Sequence, residues 1–261
     1  MIKLFSVLVF VFLAVAEPLA EAAGYKTFMA SLGTVRNARL RLYRAAFVRT
    51  WIVTLAIITA TYFAKVPLAQ LGLRSINMSV FMAWPLLGKS CIFVLLALFV
   101  LYMLSPILLS LLGAPIRAEV ARRLEYVVHI TPENTTEKAW WVANSITSVC
   151  EELIYRGFVF FACLLWWPAA PLALLVVVSC VLDGLRYAHR PAAALNVFLT
   201  GIISCLLFVM FGSLWIAMAV HFLHDIRVLA FPLAETRKLI ARRNAAAPAE
   251  NAGAIAVASA N

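Results

Sequence analysis

Charged side chains are scarce in this sequence. Asp, Glu, Lys and Arg make up 13% of its 261 residues and apolar side chains 64%, whereas a soluble domain is nearer a quarter charged and half apolar. From Ala192 to Leu223 there is no Lys, Arg, Asp or Glu. Such scarcity excludes an ordinary soluble domain, and a mean hydropathy of +0.95 fits a polytopic membrane protein. There is no CxxC pair and no HExxH. The five cysteines (Cys91, Cys150, Cys163, Cys180 and Cys205) have no regular spacing. They read as small buried hydrophobes, not as a disulfide framework or a zinc cluster. No internal repeat is visible, which weighs against a transporter built from inverted halves. A basic face is missing as well. The chain carries a net charge of +10, but its Lys and Arg sit in short segments between apolar runs, so anionic lipid is their expected counter-charge and no nucleic acid partner is expected.

A spanning helix needs about 20 apolar residues. The runs Ala46–Ala64, Ser90–Leu112, Trp140–Trp167 and Pro171–Ala188 qualify. The charge-free run after Ala192 is too long for one span and breaks naturally at Gly212-Ser213, giving spans near 193–211 and 213–231. The expected fold is therefore an all-α, polytopic transmembrane helix bundle with six core spans. Alternating the loops puts six basic residues in 24–49, four in 114–139, two in 186–191 (Arg186 and Arg190) and four in the tail, sixteen on one side. Only Lys65, Arg74 and Lys89 fall on the other. This bias places both ends of the core in the cytoplasm.

Residues 1–23 resemble a signal peptide, with Lys3, an apolar run Leu4–Ala16 and Ala-Val-Ala at 14–16. Cleavage there would export the six basic residues of 24–49, against the charge bias. A cleaved signal, an additional anchor and a true start at Met29 stay open. The domain division expected is a signal or anchor segment at 1–23, a membrane-embedded domain at 24–235 and a disordered cytoplasmic tail at 236–261. Asn134, followed three residues later by Glu137, marks the start of the third core helix.

The third span is the exception to the scarcity. SVCEELIYRGFVFF places Glu151, Glu152 and Arg156 in an apolar run, where each charge costs roughly 2.5–3.5 kcal/mol on insertion scales. Glu152 and Arg156 are i and i+4, share a helical face and can pair. Glu151 points about 100° away and has no cation in its own helix. His189 closes the fourth span, in DGLRYAHRP. The last span carries His221, His224 and Asp225, with His221 and Asp225 again i and i+4. A carboxylate, two or three imidazoles and a stabilised second carboxylate from three helices form a set that can activate water. These residues point to an intramembrane hydrolase.

The order EExxxR (Glu151, Glu152, Arg156), xxxH (His189), HxxxD (His221, Asp225) resembles the CAAX protease and bacteriocin-processing family, also called CPBP or Abi, which includes the type II CAAX prenyl proteases. "CEELIYRGF", "GSLWIAMAVHFLHD" and "LGLR" are similar in detail, and the resemblance covers roughly 65–231. It implies a glutamic-type intramembrane endopeptidase. Glu151 and His189 would hold and activate water, Glu152 and Arg156 would form a site-ordering ion pair, and His221 and Asp225 would line the oxyanion side. Two positions depart from the family pattern. Leu185 stands where Phe is usual, and Asp225 stands where prenyl proteases have Asn. An Asp donates a hydrogen bond only when protonated, so Asp225 either donates to the oxyanion or orients His221.

The expected partners are a peptide or membrane-anchored protein substrate and the lipid bilayer. The expected location is the bacterial inner membrane, multi-pass. No cofactor is expected. The alternatives are a zinc peptidase using Glu151, His189 and His221 as ligands, a non-catalytic immunity or transport protein, and, more remotely, a Cys150 nucleophile.

Overall fold

The structure is a computed structural model and describes residues 1–242. It is all-helical, with no strand among the described residues. The segments of the tail from 243 onward, including the Ala-rich stretch expected to be disordered, lie outside the described residues.

Four helices are long and apolar enough to cross a membrane. They are α1 (Ile2–Ser31), α2 (Ala38–Phe63), α3 (Leu86–Ser110) and α7 (Pro191–Phe211). A fifth span forms only if Leu214–Ala230 and Leu233–Arg242 are taken together. The six-span count is thus not confirmed, for two physical reasons. The expected third span, α5 (residues 135–166), carries Glu151, Glu152 and Arg156 within one window. The expected fourth, α6 (Leu172–Leu185), has 14 residues, or about 21 Å of helix against a hydrocarbon core of about 30 Å. Apolar side chains nevertheless face outward throughout. Leu86 and Leu87 at the head of α3 are 79% and 76% exposed, which water would penalise and lipid would not. The protein is an integral membrane protein.

The described chain divides into two compact units. The larger comprises residues 1–97 and 134–226. Here α1 is one helix with a π turn at Phe12–Ala16, and it packs into the principal apolar core through Val9 and Leu13. Phe5 meets Phe158 edge-on, and Trp166 donates to the Ser6 hydroxyl at 2.9 Å. Arg49 of α2 donates to Glu17 at 2.9 Å and also to Glu21. Helix α5 begins where the sequence marks it: Asn134 accepts a hydrogen bond from the Glu137 backbone N–H at 2.9 Å, satisfying one of the free donors of the first turn. It continues through a π turn at Leu153–Phe158 and ends at Trp166.

The break expected at Gly212-Ser213 is present, with Gly212 left-handed at φ 60° and α8 (Leu214–Ile226) starting just after it. The LGLR segment explains how that start is held. The Leu214 N–H donates to the Gly72 carbonyl at 3.0 Å, Ser213 donates to the Arg74 carbonyl at 2.6 Å, and Arg74 donates to the Gly212 carbonyl. Gly157 lets the Leu71 carbonyl approach α5, because a Cβ there would lie 2.6 Å from that oxygen.

The smaller unit comprises residues 98–133 and 227–242 of the described chain. It includes α4 (Ala114–Arg123), where Arg123 pairs with Glu119 at 2.8 Å, and α9 (Leu233–Arg242). Arg237 of α9 donates to the Thr131 hydroxyl at 2.9 Å. Residues 236–242, placed by sequence in the disordered tail, are helical, with Arg237 anchored to Thr131.

Candidate active site

Three helices of the larger unit supply the charged groups, and Arg156 lies within the π turn of α5. A π turn widens the helix and frees a carbonyl from the regular ladder. The Tyr155 carbonyl is used by the Ser179 hydroxyl at 2.9 Å, tying α6 to α5. Trp141 performs the matching role at the end of α8, donating to the Asp225 carbonyl at 3.1 Å. The charged faces of α5, α6 and α8 are thereby brought together.

The carboxylates and cations form a closed ring. Arg156 lies 3.5 Å from Glu152, as the i, i+4 spacing predicts. Its shorter bond, 2.7 Å, goes to Asp183 of α6. Asp183 Oδ1 lies 3.7 Å from Arg186, one turn further on. Arg186 grips Glu151 with both ends of its guanidinium, at 2.7 and 2.9 Å, the bidentate geometry that makes Arg–carboxylate pairs strong and directional. His221 of α8 completes the ring, with Nδ1 2.7 Å from Glu152 and Nε2 3.9 Å from Glu151. Nε2 is also 3.8 Å from Asp225, while Asp225 Oδ1 meets His224 Nδ1 at 3.2 Å.

Exposure divides this ring into a sealed side and an open side. The side chains of Glu152, Arg156 and Asp183 are at most 1% exposed. Those of Glu151, His221 and Asp225 are 14%, 19% and 32% exposed. The buried half is built to hold position, and the open half is where another molecule can arrive. An ionised Glu152 can only accept, so His221 Nδ1 carries the proton and Nε2 is turned to the open side.

The structure thus brings together Glu151, Glu152, Arg156, His221 and Asp225. It does not bring His189 to them. The His189 ring lies against Tyr25 of α1, centroids 5.1 Å apart, and neither ring nitrogen has a hydrogen-bond partner. Nor does Glu151 lack a cation, as its own helix suggested, because Arg186 arrives from α6. Asp183 and Arg186 were missed. The signal was available: Asp183 is the one acidic residue in the apolar run of α6, and an intramembrane charge is a functional candidate by default. Charge counting places Arg186 among the loop cations, yet it is 5% exposed.

A metal site does not emerge from the same residues. Among the described residues, no group of three or more His, Cys, Asp or Glu is gathered as a metal ion requires. The alternative zinc triad is split, with His189 on Tyr25 and Glu151 engaged by Arg186. Cys150 is buried.

The family comparison agrees with the motif order. Residues 136–227 match the family described as type II CAAX prenyl endopeptidase Rce1-like. The match supports assigning these residues to the CAAX protease and bacteriocin-processing family. The match covers about a third of the chain and contains every charged residue of the ring. LGLR at 71–74 falls outside it, although the fold joins that segment to the head of α8. No curated protein and no solved structure matches the chain.

Proposed function

We propose that this protein is an intramembrane endopeptidase of the glutamic type, hydrolysing a peptide bond in a membrane-associated protein or lipidated peptide. The observation that carries the reading is the open edge Glu151–His221–Asp225 on a sealed ionic base. Glu151 takes the proton of a water that attacks the scissile carbonyl, and later returns it to the leaving amine. His221 Nε2, once protonated, donates to the oxyanion that forms, a role typically worth about 10²–10³ in rate. Asp225, partly open beside it, orients the imidazole. Glu152 and Arg156 hold these groups in register. His189 enters the reaction only if its ring turns away from Tyr25. The family's printed name suggests a prenylated C-terminal tail as one substrate class, and the bacterial inner membrane is the proposed location.

The reading needs no metal. The test is cleavage of a library of farnesylated C-terminal peptides and N-acylated peptides by purified protein in proteoliposomes, followed by mass spectrometry. His221→Ala should lower kcat at least a hundredfold. Chelation followed by metal analysis should leave the wild-type rate unchanged. A rate that falls with chelation and returns with zinc would favour the metallopeptidase instead.

A further inference from the structure

Arg186 has a second place to go. Its Nη2 donates to Glu151 Oε2 at 2.9 Å and to the Tyr187 hydroxyl at 3.1 Å. The same nitrogen lies 3.7 Å from Asp183 Oδ1. That oxygen is buried and has no hydrogen-bond partner, although its twin Oδ2 is taken by Arg156. A buried carboxylate oxygen left unpaired is costly and calls for an explanation. The clamp on Glu151 raises a matching difficulty. A guanidinium fork engages both oxygens on the side where a carboxylate best accepts a proton. Held this way, Glu151 is ordered but obstructed.

We propose that Arg186 is a positioning residue with two settings. In the setting seen here it clamps Glu151 with Nη1 and Nη2. In the working setting Nη2 moves to Asp183 Oδ1, while Nη1 keeps its 2.7 Å bond to Glu151 Oε1. One Glu151 oxygen is then free for the attacking water, and the other still fixes the carboxylate. The displacement is small. Closing 3.7 Å to an ordinary charge-assisted bond takes about 0.9 Å, within reach of the terminal torsions of an arginine whose helix does not move. Asp183 and Arg186 are i and i+3 on α6 and share a face. The net charge of the ring is the same in both settings, so the exchange leaves no uncompensated ion. The cation also lies over the rings of Tyr155 and Tyr187, 5.7 and 4.8 Å from their centroids, which keeps it in the same plane as it slides.

This inference rests on the endopeptidase reading, and a double-mutant cycle separates the two. Asp183→Asn keeps a carbonyl oxygen for Arg156 but turns an amide NH₂, which cannot accept, toward Arg186. Only the second setting is lost. In proteoliposomes with the lipidated peptide library, Asp183→Asn should lower kcat about tenfold and leave KM within twofold. In an Arg186→Gln background the same change should alter kcat less than twofold, because there is no cation left to move. Its effect on the unfolding temperature should be equal in both backgrounds. Equal tenfold losses of kcat in both backgrounds would make Asp183 purely structural and overturn the two-setting clamp. Arg186→Lys is the second variant: it keeps the charge but has one terminal nitrogen instead of two, so it cannot hold Glu151 with one nitrogen while the other moves to Asp183, and kcat should fall about tenfold with KM unchanged. Wild-type kcat in that variant also overturns the clamp. Hydrolysis that is indifferent to Glu151→Gln sinks the endopeptidase reading and the clamp with it. Glu151-dependent hydrolysis with additive losses sinks the clamp alone.

Discussion

His221 Nδ1 lies 2.7 Å from Glu152 Oε1, linking the last helix of the larger unit to the second of the two adjacent glutamates of α5. This bond fixes the imidazole so that Nε2 faces Glu151 and Asp225. Glu152 is fully buried and also serves Arg156. Glu152→Gln should therefore cost stability as well as activity. Breaking a buried pair typically costs about 3–5 kcal/mol. Arg156 keeps Asp183, so a loss of about 2 kcal/mol is expected in unfolding of the purified protein in detergent. A loss below about 0.5 kcal/mol would mean that the pair carries little of the fold.

Gly201 of α7 makes room for Arg156. A Cβ at 201 would lie 2.6 Å from Arg156 Nη2 and 3.2 Å from Cys180 Sγ. The guanidinium is the end of a flexible chain, but here it is sealed and paired on two sides. Gly201→Ala should destabilise by about 1–3 kcal/mol, as overpacking does, and lower turnover. Gly24→Ala, with nothing within 4 Å of the added methyl, should leave stability unchanged or raise it by up to about 1 kcal/mol through helix propensity. Comparing the two melting curves isolates the crowding at Arg156 from the general effect of removing a helical glycine.

Arg49 secures the N-terminal helix. It pairs with Glu17, which is buried, and with Glu21. Arg49→Met preserves the apolar stem and strands Glu17. The pair is partly open, so a loss of about 1–2 kcal/mol is expected rather than the full buried-charge penalty. Faster protease cutting between α1 and α2, at residues 32–37, would report the loosening. An unchanged cutting rate would show that apolar contacts at Val9 and Leu13 hold α1 unaided.

Cys150 adjoins Glu151 but is not expected to act. It is a small buried thiol, 3% exposed, on the core side of α5. Cys150→Ala should keep turnover within about threefold of wild type. Covalent labelling of Cys150 by a thiol-reactive substrate analogue during turnover would argue for a nucleophile instead.

Much of the site was legible because charge is so expensive in an apolar helix. Glu151, Glu152, Arg156, His221 and Asp225 each stand out against their surroundings, and spacing within one helix puts Glu152 beside Arg156 and His221 beside Asp225. What spacing could not supply was the partner from another helix. Arg156 binds Asp183 more closely than it binds Glu152, and Glu151 is matched by Arg186, because tertiary packing brings α6 alongside α5. The positive-inside count treats every basic residue near a helix end as a loop cation, Arg186 included. The motif resemblance puts His189 at the water, yet its ring lies on Tyr25, a residue that charge counting assigns to the basic loop 24–49. The helix starts at Asn134 and after Gly212 were readable because capping and left-handed backbone are local. The span count was not, since α6 is too short and α5 too charged to satisfy a rule about uniform apolar length.

The most direct test is the turnover of Glu151→Gln. Gln is nearly isosteric, can still accept from Arg186, and cannot take a proton from water. In proteoliposomes with lipidated peptides, the variant should accumulate and bind substrate like wild type, with kcat lower by at least about 10³ and KM within threefold, in line with loss of a general base. Wild-type kcat in Glu151→Gln would contradict the account, because the water would then be activated by another group.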